Sequence, residues 1–476
     1  METATDVPMR MTEWADPRAW ASQVYHADYL SPSMAYALVR TQADLPVFLL
    51  ESAEGPEKIA RFSIIAGDPL ATLTGSFEAE DPTWSLFEQA SRQWFEARWA
   101  EAGPTWPFLG WYGYVAYEMT QRFERVAFRH PRTLTVPDFA FIFPGQLVVF
   151  DHRQRVMYHG WHRSRTPWTW PDPWARVPLP LLLPRRAPRA DFRAEPTLSL
   201  EAFTAMVERA RDYIREGDIF QVVLSQRFER PWSGDPWPIY RVLRNWNPSP
   251  YMFYLDYGAF VLLGSSPEML VRQVGDTVWI RPIAGTRRRG RDEAEDQRFI
   301  EELCQDAKER AEHVMLVDLA RHDLGQVAVP GTVRVTRLME VETYSHVFHL
   351  TSEVQATVRP DVPPLRVLAA GFPAGTVTGA PKIRAMEIID ELEPVRRQFY
   401  AGGVGYVGAG RRMDFCITIR TGLVTDGRLI VQAGAGIVWD SDPRREYREC
   451  QHKAGALLQA AEEIASIPRS RLPGLE

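Results

Sequence analysis

The stretch AGAGIVWDSDPRREYRECQHK, residues 433–453, sets a run of small residues, an acidic turn and a charged segment side by side. Tyr447, Cys450, Ala454, Leu457, Leu458, Ala461 and Ile464 recur at helical spacing, which predicts a helix over about 444–466. Positions i, i+3 and i+7 share a helix face, so Glu446, Glu449 and Lys453 project together. Gly434 and Gly436 carry no side chain to block a ligand from their backbone N–H groups. Carboxylates for a divalent metal beside an ammonium and open amides would suit a small dianion. The same residues also fit a plain surface helix with a Glu449–Lys453 ion pair.

Upstream, Ser199 is the expected cap of an amphipathic helix with Leu200, Phe203, Val207, Ala210 and Ile214 on its apolar face, and Gly217 stops it. Ile219–Phe228 reads as a strand, with Phe220, Val222 and Leu224 on one face and Gln221, Val223 and Ser225 on the other. A glutamine opening an otherwise buried strand either caps a sheet edge or lines a site. Further strands are expected at Phe260–Leu263, Thr277–Arg281, Phe415–Thr421 and Leu429–Gln432, with helices at about 293–314 and 380–392. Eight prolines crowd residues 164–196, so that stretch is expected to be a linker or a surface crossing. It divides an N-terminal region, 1–163, with β-like runs at Pro46–Leu50, Arg61–Ile65 and Leu147–Phe150, from a C-terminal region, 197–476. No regular βαβ alternation is present, which leaves a mixed α/β chain of the α+β type.

The 476 residues carry a net charge of −6, so no basic footprint points to nucleic acid. METATDVPMR has neither an apolar core nor a leading positive charge and is not expected to be a signal peptide. No uncharged apolar run nears the ~20 residues of a membrane span. Cys304, Cys416 and Cys450 are too scattered for a disulfide framework or a zinc motif. A cytoplasmic protein is expected. Only four lysines survive among 55 basic residues, Lys58, Lys308, Lys382 and Lys453, which draws attention to the two in Gly-rich or acidic surroundings, Lys382 and Lys453. Two Gly-rich strings mimic nucleotide motifs. Gly403-Val-Gly405-Tyr-Val-Gly408 precedes a β-like run rather than a helix, so it lacks the phosphate-binding context. Gly375–Lys382 resembles a P-loop with a displaced lysine. Thr378 as N-cap and Pro381 near a helix start explain it structurally, although that helix start could still hold an anion.

Several strings become specific in combination: Gln221 in FQVVLSQ, GSSPE ending at Glu268, RPIAGT with Ala284, Gly285 and Thr286, and Glu312-His313. His349 in HLTS, FPAGTVTGAPK, Tyr400, Arg420 in TIRT and the Gly434–Lys453 segment complete the set. In this order and spacing the region 198–466 resembles the chorismate-utilising enzymes. The resemblance implies that family's fold, with mixed and antiparallel sheets forming a β-sandwich core among helices. In the N-terminal half, Leu49-Leu50-Glu51-Ser52, then Arg61-Phe62-Ser63, resemble the tryptophan-sensing segment of anthranilate synthase large subunits, as does Asn247–Met252. A tryptophan site at Leu50, Glu51, Ser52, Pro248, Tyr251 and Met252 is implied. Three departures stand out: His322 where Asn is usual, Ala66 inserted before Gly67, and Gln451-His452 before Lys453.

By that resemblance, Glu312 and Glu449 ligate Mg²⁺, and Glu446 supports the metal directly or through water. Glu268 is the expected general acid, which requires a raised pKa. Tyr400, Arg420, Lys453 and the amides of Gly434 and Gly436 would hold substrate carboxylates. Thr286 would contact the reacting ring, and His349 would serve pyruvate elimination. Isochorismate- and salicylate-forming members carry a water-activating lysine at the Gln221 position, and aminodeoxychorismate synthases commonly carry a nucleophilic lysine at the Ala284 position. Gln221 with Ala284 therefore points to direct amination, chorismate and ammonia giving anthranilate and pyruvate. No cysteine stands in a glutaminase elbow, so a separate glutamine amidotransferase subunit is implied. Rival readings are an aminodeoxychorismate or aminodeoxyisochorismate synthase and a non-catalytic tryptophan-binding homologue.

Overall fold

The computed structural model describes residues 13–467 except 15, 29, 54–60, 78–80, 97–105, 172–195 and 345–346. Two antiparallel sheets dominate it. Across the first, the strands run in the order Trp20–His26, Val156–His162, Gln146–Asp151, Phe62–Gly67, Val47–Glu51, Tyr251–Asp256, Val261–Ser266, Thr421–Thr425, Arg428–Ile437, Gln221–Pro231 and Gly379–Ala380. The second runs Ile283–Arg288, Val347–Thr357, Thr277–Ile280, Met269–Val274, Arg412–Ile417, Gly403–Gly408, Gly110–Val115, Phe139–Phe143 and Ala71–Gly75, with Arg334–Thr343 pairing on Val347–Thr357.

Side-chain alternation explains how the first sheet is covered on both faces. Phe48, Ile64, Ala66, Leu147, Val149, Phe253 and Leu255 enter a core shared with the second sheet. Their neighbours Val47, Leu49, Ile65, Val148, Phe150, Met252 and Tyr254 instead enter a core completed by the helices Leu200–Arg215, Trp237–Trp246 and Pro443–Ala465. Strands buried on both faces read as continuous apolar runs, which is why they lack a polar-apolar signature. The expected sandwich with surrounding helices is present.

In both sheets a block of strands from before the proline-rich stretch adjoins a block from after it, and each joint is one strand pair: Val47–Glu51 with Tyr251–Asp256, and Gly110–Val115 with Gly403–Gly408. Residues 172–195 of that stretch lie outside the described residues. Among the described residues no helix is long and apolar enough to cross a membrane.

Several local expectations need correction. The helix expected over 293–314 is two, Glu293–Gln305 and Ala307–Gly325, because Asp306 ends one and caps the other by accepting from the Lys308 and Glu309 amides. The strand expected over Phe415–Thr421 stops at Ile417, since the chain there leaves one sheet and enters the other at Thr421. Thr378 is not an N-cap: its hydroxyl donates to the Ala374 carbonyl, and the helix Lys382–Leu392 starts after Pro381. Phe220 lies outside the strand and is 73% exposed, not on the apolar face.

Candidate active site

Two crossings between the sheets build one end of the site. Glu268 lies where the chain passes from Val261–Ser266 to Met269–Val274, and Arg420 where it passes from Arg412–Ile417 to Thr421–Thr425. Backbone bonds lock the two together: the Ile417 amide donates to Glu268 O and the Ser265 amide to Arg420 O. Arg420 takes a left-handed conformation, φ 52°, which turns the chain between sheets. Burial pushes the Glu268 carboxyl up to about 8, against opposing effects of Thr376, Lys453 and the Ile283 amide. Thr376 Oγ1 donates to Glu268 Oε1 at 2.9 Å. Burial also draws the Arg420 guanidinium below its ordinary value, with Glu449 and Tyr400 opposing.

The turn carrying Thr376 is fixed by a buried ion pair. Arg397 gives Nη2 and Nε to the Glu393 carboxylate at 2.6 and 2.9 Å, and its remaining donors reach Val377 O and Val223 O. Glu393 in turn accepts from the Ser225 amide and hydroxyl. Breaking such a buried pair typically costs about 3–5 kcal/mol, because it strands a charge. This clamp ties the Gly375–Val377 turn to the Gln221–Pro231 strand. Sequence reading gave Thr376 no role: its string FPAGTVTGAPK counted toward the family resemblance without singling out that hydroxyl.

Gln221 and the glycines meet across one strand pair. Gly434 faces Ser225 and Gly436 faces Val223 in register. A Cβ on Gly436 would fall 2.7 Å from Gln221 Nε2, and one on Gly434 2.8 Å from the Tyr400 hydroxyl. The glycines therefore make room for those two polar groups. Gly434 O accepts from Lys453 Nζ at 2.9 Å and Gly436 O from the Ser441 hydroxyl at 3.4 Å. Those peptide groups thus face away from the neighbouring strand.

Gln221 Nε2 donates to Glu312 Oε1 at 3.0 Å, while its buried Oε1 has no hydrogen-bond partner. Lys453 Nζ lies 2.8 Å from Glu449 Oε1. Burial raises Glu312, with Glu309 and Glu449 adding to it and Gln221 and Lys308 opposing. Burial likewise raises Glu446, with the Glu449 charge adding to it. Glu312, Glu446 and Glu449 thus form a repelling acidic group whose oxygen donors suit a hard divalent cation. Even so, among the described residues no cluster of three or more His, Cys, Asp or Glu side chains is drawn together closely enough to hold an ion.

Thr286 and His349 form the third part. Gly285 has φ 69° and sits at a bulge: Ala284 pairs with Leu350, but Thr286 pairs with His349. The extra residue brings Thr286 Oγ1 within 3.0 Å of His349 Nδ1. Gly285 O lies 3.3 Å from the same nitrogen and can only accept, so Nδ1 carries the proton and Nε2 keeps its lone pair. Burial lowers the His349 pKa; Arg420 adds to the lowering, and the Gly285 carbonyl and Glu342 oppose it.

Other motifs fall elsewhere. Lys382 is bound by Asp323 at 2.8 Å to both carboxylate oxygens, so it is a structural cation rather than an anion site. His322 is exposed, and Lys58 lies outside the described residues. Gly403–Gly408 is a strand paired on both edges, without a phosphate-binding helix.

Between the sheets lies a cavity of about 730 Å³ lined by Leu50, Glu51, Ser52, Tyr251 and Met252. Pro250, not the expected Pro248, completes that wall. The Glu51 carboxylate accepts from Arg244 through both oxygens at 2.8 Å and from the Tyr240 hydroxyl at 3.0 Å. Glu51 thereby anchors the wall.

Residues 45–459 match the family model described as chorismate binding enzyme. The chain belongs to that family. The match reaches well upstream of the region 198–466, in keeping with sheets that both halves of the chain build. Among curated members, anthranilate synthase component 1 of Thermus thermophilus is 45% identical, covering 92% of this chain and 97% of that protein. Its counterpart from Streptomyces coelicolor is 44% identical, covering 92% and 88%. The crystal structure of anthranilate synthase component I from Streptococcus pneumoniae superposes with a TM-score of 0.72 at 34% identity, over 92% of this chain and 99% of that one. The menaquinone-specific isochorismate synthase of Escherichia coli shares the fold, with a TM-score of 0.70 at 18% identity.

Proposed function

We propose that this family member is the large subunit of an anthranilate synthase, converting chorismate and ammonia to anthranilate and pyruvate. The observation that carries the reading is the 45% identity across 92% of the chain to an anthranilate synthase component 1. The side chains support it: Gln221 cannot serve as a water-activating base, and Ala284 offers no nucleophile, so ammonia attacks the ring directly.

In this reading Glu268, protonated at neutral pH, gives its proton to the departing 4-hydroxyl while ammonia adds at C2. Thr376 orients that carboxyl. Arg420, Tyr400, Lys453 and the peptide groups of Gly434 and Gly436 bind the substrate carboxylates. Thr286 contacts the reacting ring and holds Nδ1 of the His349 imidazole, whose Nε2 assists the loss of pyruvate. Glu312, Glu449 and Glu446 would hold Mg²⁺ once Gln221 and Lys453 release their present partners. When bound, the metal neutralises and polarises the ring carboxylate. A separate glutamine amidotransferase subunit supplies the ammonia, in the cytoplasm, and tryptophan inhibits from the cavity between the sheets. Residues 1–163 share the regulatory cavity with the segment 247–252, and residues 197–476 carry the catalytic groups.

The test is product identification. The isolated chain with chorismate, Mg²⁺ and high ammonium should yield fluorescent anthranilate and pyruvate, and glutamine alone should yield none without the partner. Isochorismate or 4-amino-4-deoxychorismate as the main product would overturn the assignment.

A further inference from the structure

One face of a single strand runs from the candidate active site to the cavity. In Val347–Thr357, side chains at every second position share a face, so His349, Thr351, Glu353 and Gln355 lie in one row. His349 stands at the site end, and Glu353 and Gln355 line the cavity. Four residues of extended chain separate His349 from Glu353, about 13 Å.

His349 is flanked in register on both edges of its strand, by Thr286 on one side and Glu342 on the other. Glu342 accepts from the guanidinium of Arg281, which is itself buried. The Tyr344 hydroxyl donates to the second Glu342 oxygen at 2.9 Å, and the Tyr344 ring meets the His349 ring edge-on at 5.6 Å. Arg281 also lines the cavity. One guanidinium therefore lines the cavity and also holds the carboxylate whose residue lies in register with His349.

We propose that Arg281 and Glu342 are positioning residues for His349, and that a carboxylate-bearing occupant of the cavity acts on the site by drawing Arg281 away from Glu342. Arg281 holds Glu342 through Nη2 alone, so turning its fork bidentately onto a second carboxylate would break that one bond. The occupant thereby gains a partner in one state that it lacks in the other, which is the differential contact any coupling between sites requires. With Arg281 withdrawn, Glu342 and Tyr344 lose their anchor and the imidazole loses its brace. The part concerning inhibition rests on the reading of the cavity as the tryptophan site; the bracing of His349 does not.

The test uses the full chain with Mg²⁺, chorismate and ammonium, with L-tryptophan as the probe. Glu342→Gln should lower kcat about tenfold while chorismate KM stays within about twofold, and tryptophan should change the remaining rate no more than about twofold. Tyr344→Phe, a milder change, should lower kcat in the same direction by a smaller factor. The His349 imidazole ¹⁵N signal, identified by its loss in His349→Gln, should shift in Glu342→Gln and should move the same way in wild type saturated with tryptophan. Wild-type kcat in both variants, or a ligand-free His349 signal unchanged in Glu342→Gln, overturns the bracing role. A wild-type signal unmoved by bound tryptophan, or undiminished inhibition in Glu342→Gln, overturns the coupling. Failure of the functional reading would look different: the wild-type chain would make no anthranilate or bind no tryptophan, while the ligand-free signal would still report on Glu342.

Discussion

At neutral pH the Glu268 carboxyl keeps its proton because its burial outweighs the opposing charge of Lys453 and the hydrogen bonds from Thr376 and Ile283. Its folded value of about 8 lies above the ordinary 4.5. Two consequences follow in the same window. The rate should fall as pH rises through about 8, since the proton donor is lost. The stability this group contributes is full below about 4.5 and is lost as pH climbs through 8, because only the folded state then favours the proton. Glu268→Gln should therefore reduce turnover by about 10²–10⁴-fold. It should also unfold at a higher temperature than wild type at pH 9, with a smaller difference at pH 6. A variant retaining most of the activity, or melting curves that differ equally at both pH values, would contradict this. Glu449 makes a separate case, since it pairs with Lys453 and faces the charge of Glu446. Glu449→Ala should raise the Mg²⁺ concentration needed for half-maximal rate and be partly rescued by excess metal. An unchanged requirement in a metal titration would remove Glu449 from the metal set.

At the scale of elements, the bulge at Gly285 joins conformation to chemistry. Its φ of 69° and a Leu303 methyl only 2.9 Å from where a Cβ would stand both oppose a side chain. Gly285→Ala should cost about 1–3 kcal/mol in urea unfolding. It should also lower kcat, because Thr286 and His349 would lose their register. Unaltered stability would mean that the bulge relaxes freely. This bulge illustrates what the sequence withheld. Short-range signals announced the Ser199 cap and the Pro443–Ala465 helix, since caps and helical spacing are local. Motif order named Glu268, Gln221 and His349. The switch of sheets at Thr418–Arg420 was invisible, because it depends on which distant strand each half meets. The break at Asp306 was legible in principle, since an aspartate ahead of two amides is a cap, but helix-favouring residues on both sides of it masked the stop. Thr376 and the Arg397–Glu393 clamp escaped because their partners lie far away in sequence.

For the whole molecule, the cavity between the sheets offers control at a distance. Among the described residues the Ser52 hydroxyl has no hydrogen-bond partner, although the Ser52 amide donates to Ser63 Oγ at 3.3 Å. Tryptophan bound there should raise the melting temperature, by an amount equivalent to about 2.7 kcal/mol at a hundredfold excess over Kd. Ser52→Ala should lose most of that shift and of the inhibition while keeping its uninhibited rate. Chorismate should weaken tryptophan binding by the same factor that tryptophan weakens chorismate binding, a reciprocity that calorimetry can check. A melting temperature indifferent to millimolar tryptophan would remove the effector from this cavity.

The joint between early and late strands in each sheet also sets a timetable. As the chain leaves the ribosome, Val47–Glu51 emerges roughly 200 residues before its neighbour Tyr251–Asp256, a delay of about 10–40 s at ordinary elongation rates. Throughout that interval an apolar strand edge waits without its partner, the kind of edge that recruits other chains. Gly110–Val115 waits longer still, for Gly403–Gly408. Yield in a cell should therefore depend on whatever shields the nascent first half, and a fragment ending before residue 251 should collect in inclusion bodies.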